Sequence, residues 1–264
     1  MCIRDRLWMD VHNDRRNQTP NKCIKKEIEE QIMASKFTWV DIDKTKLPKT
    51  KGKRIDGFRF YAVDGKNYPS ITTILGVQKK EGLEKWRKAV GEEAANWEMG
   101  RAARRGKATH TLVEQYLKGE TPSIRDVLPL GMFRLMLPYL AQINNIHLLE
   151  EIMFSHKLTL AGQVDCVAEY NGKLSVIDFK TANKERKEDW IENYFIQTTA
   201  YAMMYEEIFG KRIDQLVILM AGEDGTMRSF VKDKKIFEPK LEESIKYFYK
   251  YYEELNKDKI SKSH

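Results

Sequence analysis

Cysteine is nearly absent from this chain: 264 residues contain three, Cys2, Cys23 and Cys166, with no Cys-x-x-Cys pair among them. That excludes a disulfide scaffold and a thiolate zinc site, and it fits a reducing compartment. Long apolar runs are missing too. Arg134, Pro138 and Asp214 interrupt the best candidates before they reach the ~18 residues of a spanning helix, so no membrane partner is expected. The first residues lack the apolar stretch of a secretory signal. Asp5, Asp10, Asp14, Glu27, Glu29 and Glu30 break up their basic residues, unlike an organellar transit peptide. The expected setting is cytoplasmic, bacterial or phage-encoded, rather than mitochondrial. No internal repeat or low-complexity block is evident.

What is present is enough apolar residue, 42%, for a single full-sized core, and a net charge of +7 carried on clustered Lys and Arg. Such clustering favours a polyanion, nucleic acid ahead of an anionic membrane surface. Residues 1–36, with eight basic and six acidic residues, read as a tail that folding entropy keeps open. Met33, followed by Ala34 and Ser35, resembles a natural translation start, so the preceding segment reads as upstream sequence. The expected domain is 37–258, with a hairpin and helical part over 37–145, a core over 146–258 and a tail at 259–264.

Arg59 to Val63, followed by Asp64-Gly65 and Tyr68, has the pattern of a hairpin, and 44–54, with six basic residues and no acid, that of a solvated loop or a phosphate-tracking arm. Ser70-Ile71-Thr72-Thr73 starts a helix through Leu75, and a longer helical stretch over 83–117 should break near Gly100 or Gly106. Another helix is expected over 125–144. Strands follow at 148–154, 164–170 and 173–180, then a helix at 190–209, strands at 215–221 and 227–231, and a last helix over 239–255. The class is α/β or mixed α+β: a short mixed sheet flanked by helices, with an N-terminal helical segment.

Asn171-Gly172 between two alternating strands is a strong hairpin signal. Counting outward from it pairs Tyr170 with Lys173 and brings Asp165 opposite Asp178. Opposed carboxylates on one face repel unless a cation joins them. Lys180 shares that face, while Ile177 and Phe179 point to the other side. Two acids and a lysine suit phosphodiester hydrolysis with Mg²⁺ or Mn²⁺, in which Lys180 orients or deprotonates a water or offsets transition-state charge. The competing reading is a solvated hairpin with a salt bridge, against which stands the apolar context Val176-Ile177-Asp178-Phe179.

Gly162-Gln163-Val164-Asp165, then Ile177-Asp178-Phe179-Lys180-Thr181, then Gln197 with Tyr201, resembles the RecB-like branch of the PD-(D/E)XK nucleases. More narrowly, Leu149-Glu150, Ala161-Gly162, Asp165 through Tyr170 and Gly172-Lys173-Leu174 are similar to the mitochondrial genome maintenance exonuclease group and its phage and bacterial relatives. The resemblance is dense over 148–205 and looser over 68–117, about half the chain.

It implies a restriction-endonuclease-like core. Asp165 and Asp178 would be metal ligands, joined by Glu150, His110 and the Phe179 carbonyl, with Lys180 as the motif lysine. Gln197 and Tyr201, one turn apart, would face the active centre and the DNA, and Ser70 and Thr181 would contact DNA. Arg101, Arg104, Arg105 and Lys107 form an acid-free basic run before His110 that would lie beside the phosphates, against a solvated helical face as the alternative. Trp86 and Trp97 are candidates for base stacking, with burial the favoured fate. Iron-sulfur relatives carry four cysteines around this core, whereas only Cys166 lies here, so no iron-sulfur cluster is expected. The implied activity is that of a monomeric DNA exonuclease acting on single strands or single-stranded ends, in replication, repair or recombination. A flap endonuclease and a non-catalytic DNA-binding module are its rivals.

Overall fold

The computed structural model describes residues 37–121 and 126–262. The expected tail at 1–36, including Cys2 and Cys23, lies outside them. A small antiparallel sheet comes first: β1 (Lys53–Ile55), β2 (Phe58–Val63) and β3 (Lys66–Pro69). The expected hairpin is β2 with β3, and Val63 pairs with Lys66 across Asp64-Gly65. The lysine-rich stretch is less open than expected, since it contains a short 3-10 turn at Lys44–Lys46 and contributes β1, which turns at Asp56-Gly57 into β2.

Four helices follow: α1 (Ile71–Gln78), α2 (Lys80–Val90), α3 (Glu92–Leu117) and α4 (Val127–Leu140). The long helical stretch breaks at Gly91, not at Gly100 or Gly106. Gly91 has φ of 89°, which a side chain would strain, whereas Gly100 and Gly106 lie inside an unbroken α3. Gly106 has a packing reason to be small: a Cβ there would lie 3.6 Å from Thr181 Oγ1, so the helix runs close to the sheet.

The main sheet has the order β4-β5-β6-β7-β8, with β4 (Ile143–Ser155), β5 (Leu160–Tyr170), β6 (Lys173–Ala182), β7 (Gln215–Gly222) and β8 (Met227–Asp233). Every pair is antiparallel except β6 with β7, which are joined through α5 (Glu192–Phe209). The final helix, α6 (Glu238–Lys262), continues past the expected end near Leu255 and through most of the expected tail.

Each face of the sheet carries its own core. Val176, Leu216 and Ile218 pack with α1, α5 and α6 through Ile71, Ala200, Tyr205 and Phe248. Ile177, Phe179, Val217 and Leu219 pack with α3 and α4 through Leu112, Val113, Phe133 and Met136. The central strands are therefore apolar on both faces, as expected when helices cover both sides. An acid on β6 is accordingly an acid inside the protein.

Candidate active site

Pairing between β5 and β6 runs from Tyr170 opposite Lys173 to Cys166 opposite Ile177, in the register that the Asn-Gly turn dictates. The next step would oppose Asp165 and Asp178, but there the ladder ends. The Asp165 carboxylate itself accepts the Phe179 amide N–H, at 2.9 Å from Oδ2. On its other side, β4 and β5 pair at Leu149 with Cys166 and at Glu151 with Val164, and not at Glu150 and Asp165 between them. Glu150 has φ of 54°. Holding a glutamate in this left-handed conformation costs of order 1–3 kcal/mol, a strain typical of functional sites. Gln163 braces the bend, donating from Nε2 to the Glu150 carbonyl and to its Oε2, each at 3.0 Å.

His110 reaches this opening from α3. Its Nε2 donates to the Phe179 carbonyl at 2.6 Å, which leaves Nδ1 facing the carboxylates. Nδ1 lies 3.7 Å from Asp165 Oδ2 and 3.8 Å from Glu150 Oε1. Those distances are too long for hydrogen bonds. The ligating atoms of His110, Glu150 and Asp165 all lie within 4.8 Å of one another. The tight group is thus not the expected Asp165 and Asp178 pair. Phe179, expected to offer its carbonyl to a metal, spends one acceptor position on His110.

Asp178 stands beside this group, 1% exposed. Its Oδ1 accepts from Lys180 Nζ at 2.7 Å, while its buried Oδ2, ion-paired with the same ammonium, accepts no hydrogen bond. Lys180 Nζ lies 2.7 Å from each of the two oxygens, so one ammonium offsets this buried charge. Carboxylate oxygens with one imidazole also form a donor set that hard divalent ions accept. The residues present fit Mg²⁺ or Mn²⁺.

The electrostatics have the same origin. Burial, with Asp165 beside it and against the pull of Lys180, raises the Asp178 pKa to about 7. Burial also raises that of Glu150. For His110, burial acts downward, but Asp165 and Glu150 outweigh it and raise the pKa to about 9. Burial likewise acts downward on Lys180, and Asp178 and Asp165 hold its pKa above the ordinary lysine value.

The α5 helix closes the site. Gln197 Nε2 donates to Tyr201 Oη at 3.3 Å, and both side chains are buried. The Tyr201 ring lies against Gly162, where a Cβ would come within 2.8 Å of its Cε1. Tyr205 continues the stripe away from the acids, to a hydrogen bond with His147 Nδ1 at 2.6 Å.

The basic run divides. Arg105 is buried, donating to Thr181 Oγ1, Asn183 Oδ1 and Glu223. Arg101 donates to both oxygens of Glu223 and lies over Trp97. These two arginines tie α3 to the sheet and are engaged by acids, Arg105 by Glu223 and Arg101 by Glu223 and Glu98. Arg104 and Lys107 are exposed. Ser70 is also reassigned: it is buried, and its Oγ caps α1 by accepting the Thr73 N–H at 3.0 Å. Trp86 and Trp97 are exposed rather than buried. Gln163 and Glu223 escaped the sequence reading. Gln163 lies inside the quoted motif, whereas nothing around Glu223 marks it.

A sequence model of the PD-(D/E)XK nuclease superfamily matches residues 68–262. Mitochondrial genome maintenance exonuclease 1 of Homo sapiens is 30% identical over 174 residues, 60% of this chain and 50% of that protein. Its counterpart in Mus musculus is 27% identical over 173 residues, 60% of this chain and 51% of that protein. The Xenopus tropicalis protein is 28% identical over 177 residues, 60% of this chain and 49% of its own length. The chain spans about half the length of these curated relatives. With the match running from β3 to the end of α6 and enclosing His110, Glu150, Asp165, Asp178 and Lys180, this chain belongs to the PD-(D/E)XK nuclease superfamily.

Proposed function

We propose that the protein is a Mg²⁺- or Mn²⁺-dependent deoxyribonuclease, an exonuclease that prefers single-stranded DNA and serves replication, repair or recombination. The observation that carries this reading is the convergence of the ligating atoms of His110, Glu150 and Asp165 within 4.8 Å of one another, beside the buried Asp178 with its Lys180 partner. The exonuclease and DNA assignments draw on the names of the relatives.

His110, Glu150, Asp165 and Asp178 would hold the cation, with the second acceptor position of the Phe179 carbonyl available beside them. A divalent ion there supplies Lewis acidity toward the phosphate and lowers the pKa of a bound water. Lys180 enters as an ammonium, because Asp178 and Asp165 hold its proton. As an ammonium it orients the water or offsets charge developing on the phosphate. The Nε2 bond to Phe179 fixes the tautomer of His110 that presents Nδ1. Tyr201 and Gln197 wall the site, and Gln163 keeps Glu150 in its strained position.

Digestion of end-labelled linear and covalently circular single strands with Mg²⁺ or Mn²⁺ tests the reading. The linear strand should shorten from an end while the circle persists. Rapid cleavage of the circle would make the enzyme an endonuclease with the same centre, and no cleavage of either would remove the deoxyribonuclease assignment.

A further inference from the structure

One cation close to the site, Lys79, has no role in the centre. Tyr194, on the first turn of α5, has Lys180 Nζ at 5.0 Å from its ring centroid and Lys79 Nζ at 5.9 Å. The two ammoniums therefore lie at most about 11 Å apart across one aromatic ring. Lys79 occupies the junction between α1 and α2, an element that contributes none of the residues assigned above to the centre. It is exposed, and among the described residues it makes no ion pair. Partial burial of its amine, and then the positive charges of Arg186 and Lys180, hold its pKa below the ordinary lysine range. Lys44, by contrast, pairs with Glu151 at 2.8 Å. Lys80, the next residue, turns the other way and donates to Tyr251 Oη at 3.0 Å.

Lys180 has Asp178 as its partner, whereas Lys79 has no acid of its own and is therefore open to an anion that enters beside it. Lys180 is the lysine of the catalytic centre, so that anion sits next to the reacting phosphate. We propose that Lys79, aligned by Tyr194, is a substrate-positioning residue that binds a non-scissile phosphate of the strand held at Lys180. This rests on the deoxyribonuclease reading and adds a direction to it: the backbone leaves the centre over the first turn of α5 toward the α1 and α2 junction. The Tyr194 ring attracts both ammoniums by its π-system.

The test uses the full chain carrying Asp178→Asn, so that an oligonucleotide survives the measurement, and reads binding of a labelled single strand by fluorescence anisotropy in EDTA. Lys79→Met should weaken binding about tenfold, the loss expected for one charge-assisted contact. It should also flatten the salt slope by about 0.7, the value for one single-strand phosphate. Lys79→Arg should restore most of the affinity. Lys80→Met, which removes the same charge one residue away, should change the affinity less than about twofold. In the protein with Asp178 intact, Lys79→Met should raise KM far more than it lowers kcat. Equal effects of Lys79→Met and Lys80→Met, or an unchanged salt slope in Lys79→Met, would overturn the proposal. Absence of cleavage by the unmutated chain would count against the enzymatic reading instead, since the binding comparison does not depend on turnover.

Discussion

Gly162 shows how much of the site depends on one missing methyl group. A Cβ at that position would stand 2.8 Å from Tyr201 Cε1 and 3.2 Å from Ile71 Cγ2, between two buried side chains with nowhere to go. Gly162→Ala should therefore destabilise the protein by about 1–3 kcal/mol, seen as a lowered midpoint in thermal melts, and should reduce cleavage by displacing Tyr201 from Asp165. An unchanged melt would mean that the ring is not packed as described. Protonation makes a second residue-scale prediction. Without a cation, His110 holds a proton up to about pH 9 and Asp178 up to about pH 7, because the pKa of each is raised. Ligation displaces those protons, so cation affinity should climb as pH rises from about 6 to about 9. Calorimetry of Mn²⁺ binding in two buffers of different ionisation enthalpy measures the proton release, and release of none would refute the ligand assignment. The register of β5 against β6 was legible in sequence as far as Cys166 opposite Ile177, because a two-residue turn fixes it by counting. Glu150's positive φ and its brace by Gln163 were not, because a local break in pairing leaves no pattern in residue order.

At the scale of elements, most strands and helices were legible from hydrophobic period and turn chemistry, and the misses share a cause. A glycine in a helical pattern signals either a break or a close approach, and sequence does not distinguish them. Gly91 is the break, and Gly106 is the point at which α3 lies against β6. This contrast is testable. Gly106→Ala places a Cβ 3.6 Å from Thr181 Oγ1, an ordinary contact, and should stabilise by up to about 1 kcal/mol through helix propensity. Gly106→Leu should push α3 off the sheet, break the His110 bond to Phe179 and weaken cation binding, as measured by Mn²⁺-dependent shifts in thermal midpoint. Strand β1 was missed because its lysines masked the Asp56-Gly57 turn that pairs it with β2.

At the scale of the whole molecule, the net charge of +7 pointed to a polyanion, but it did not say which cations are free. Folding pairs Arg101 and Arg105 with Glu223 and Glu98 and leaves Arg104, Lys107 and Lys79 exposed. Binding of a single strand in EDTA should consequently weaken about tenfold or more between ~50 and ~200 mM salt. A flat response measured by anisotropy would contradict a phosphate-led interface. The two-sided core explains why the acids matter: both faces of β6 are sealed by helices, so the charge on Asp178 is matched only by Lys180 and by whatever enters the opening beside His110. The most direct test of that arrangement is cleavage of an end-labelled single strand by the unmutated chain and by Asp178→Ala, side by side, with Mn²⁺ and with EDTA. The account predicts cleavage only by the unmutated chain with Mn²⁺, with the variant slower by about a thousandfold or more. Substantial cleavage by the variant, or by the unmutated chain in EDTA, would contradict it.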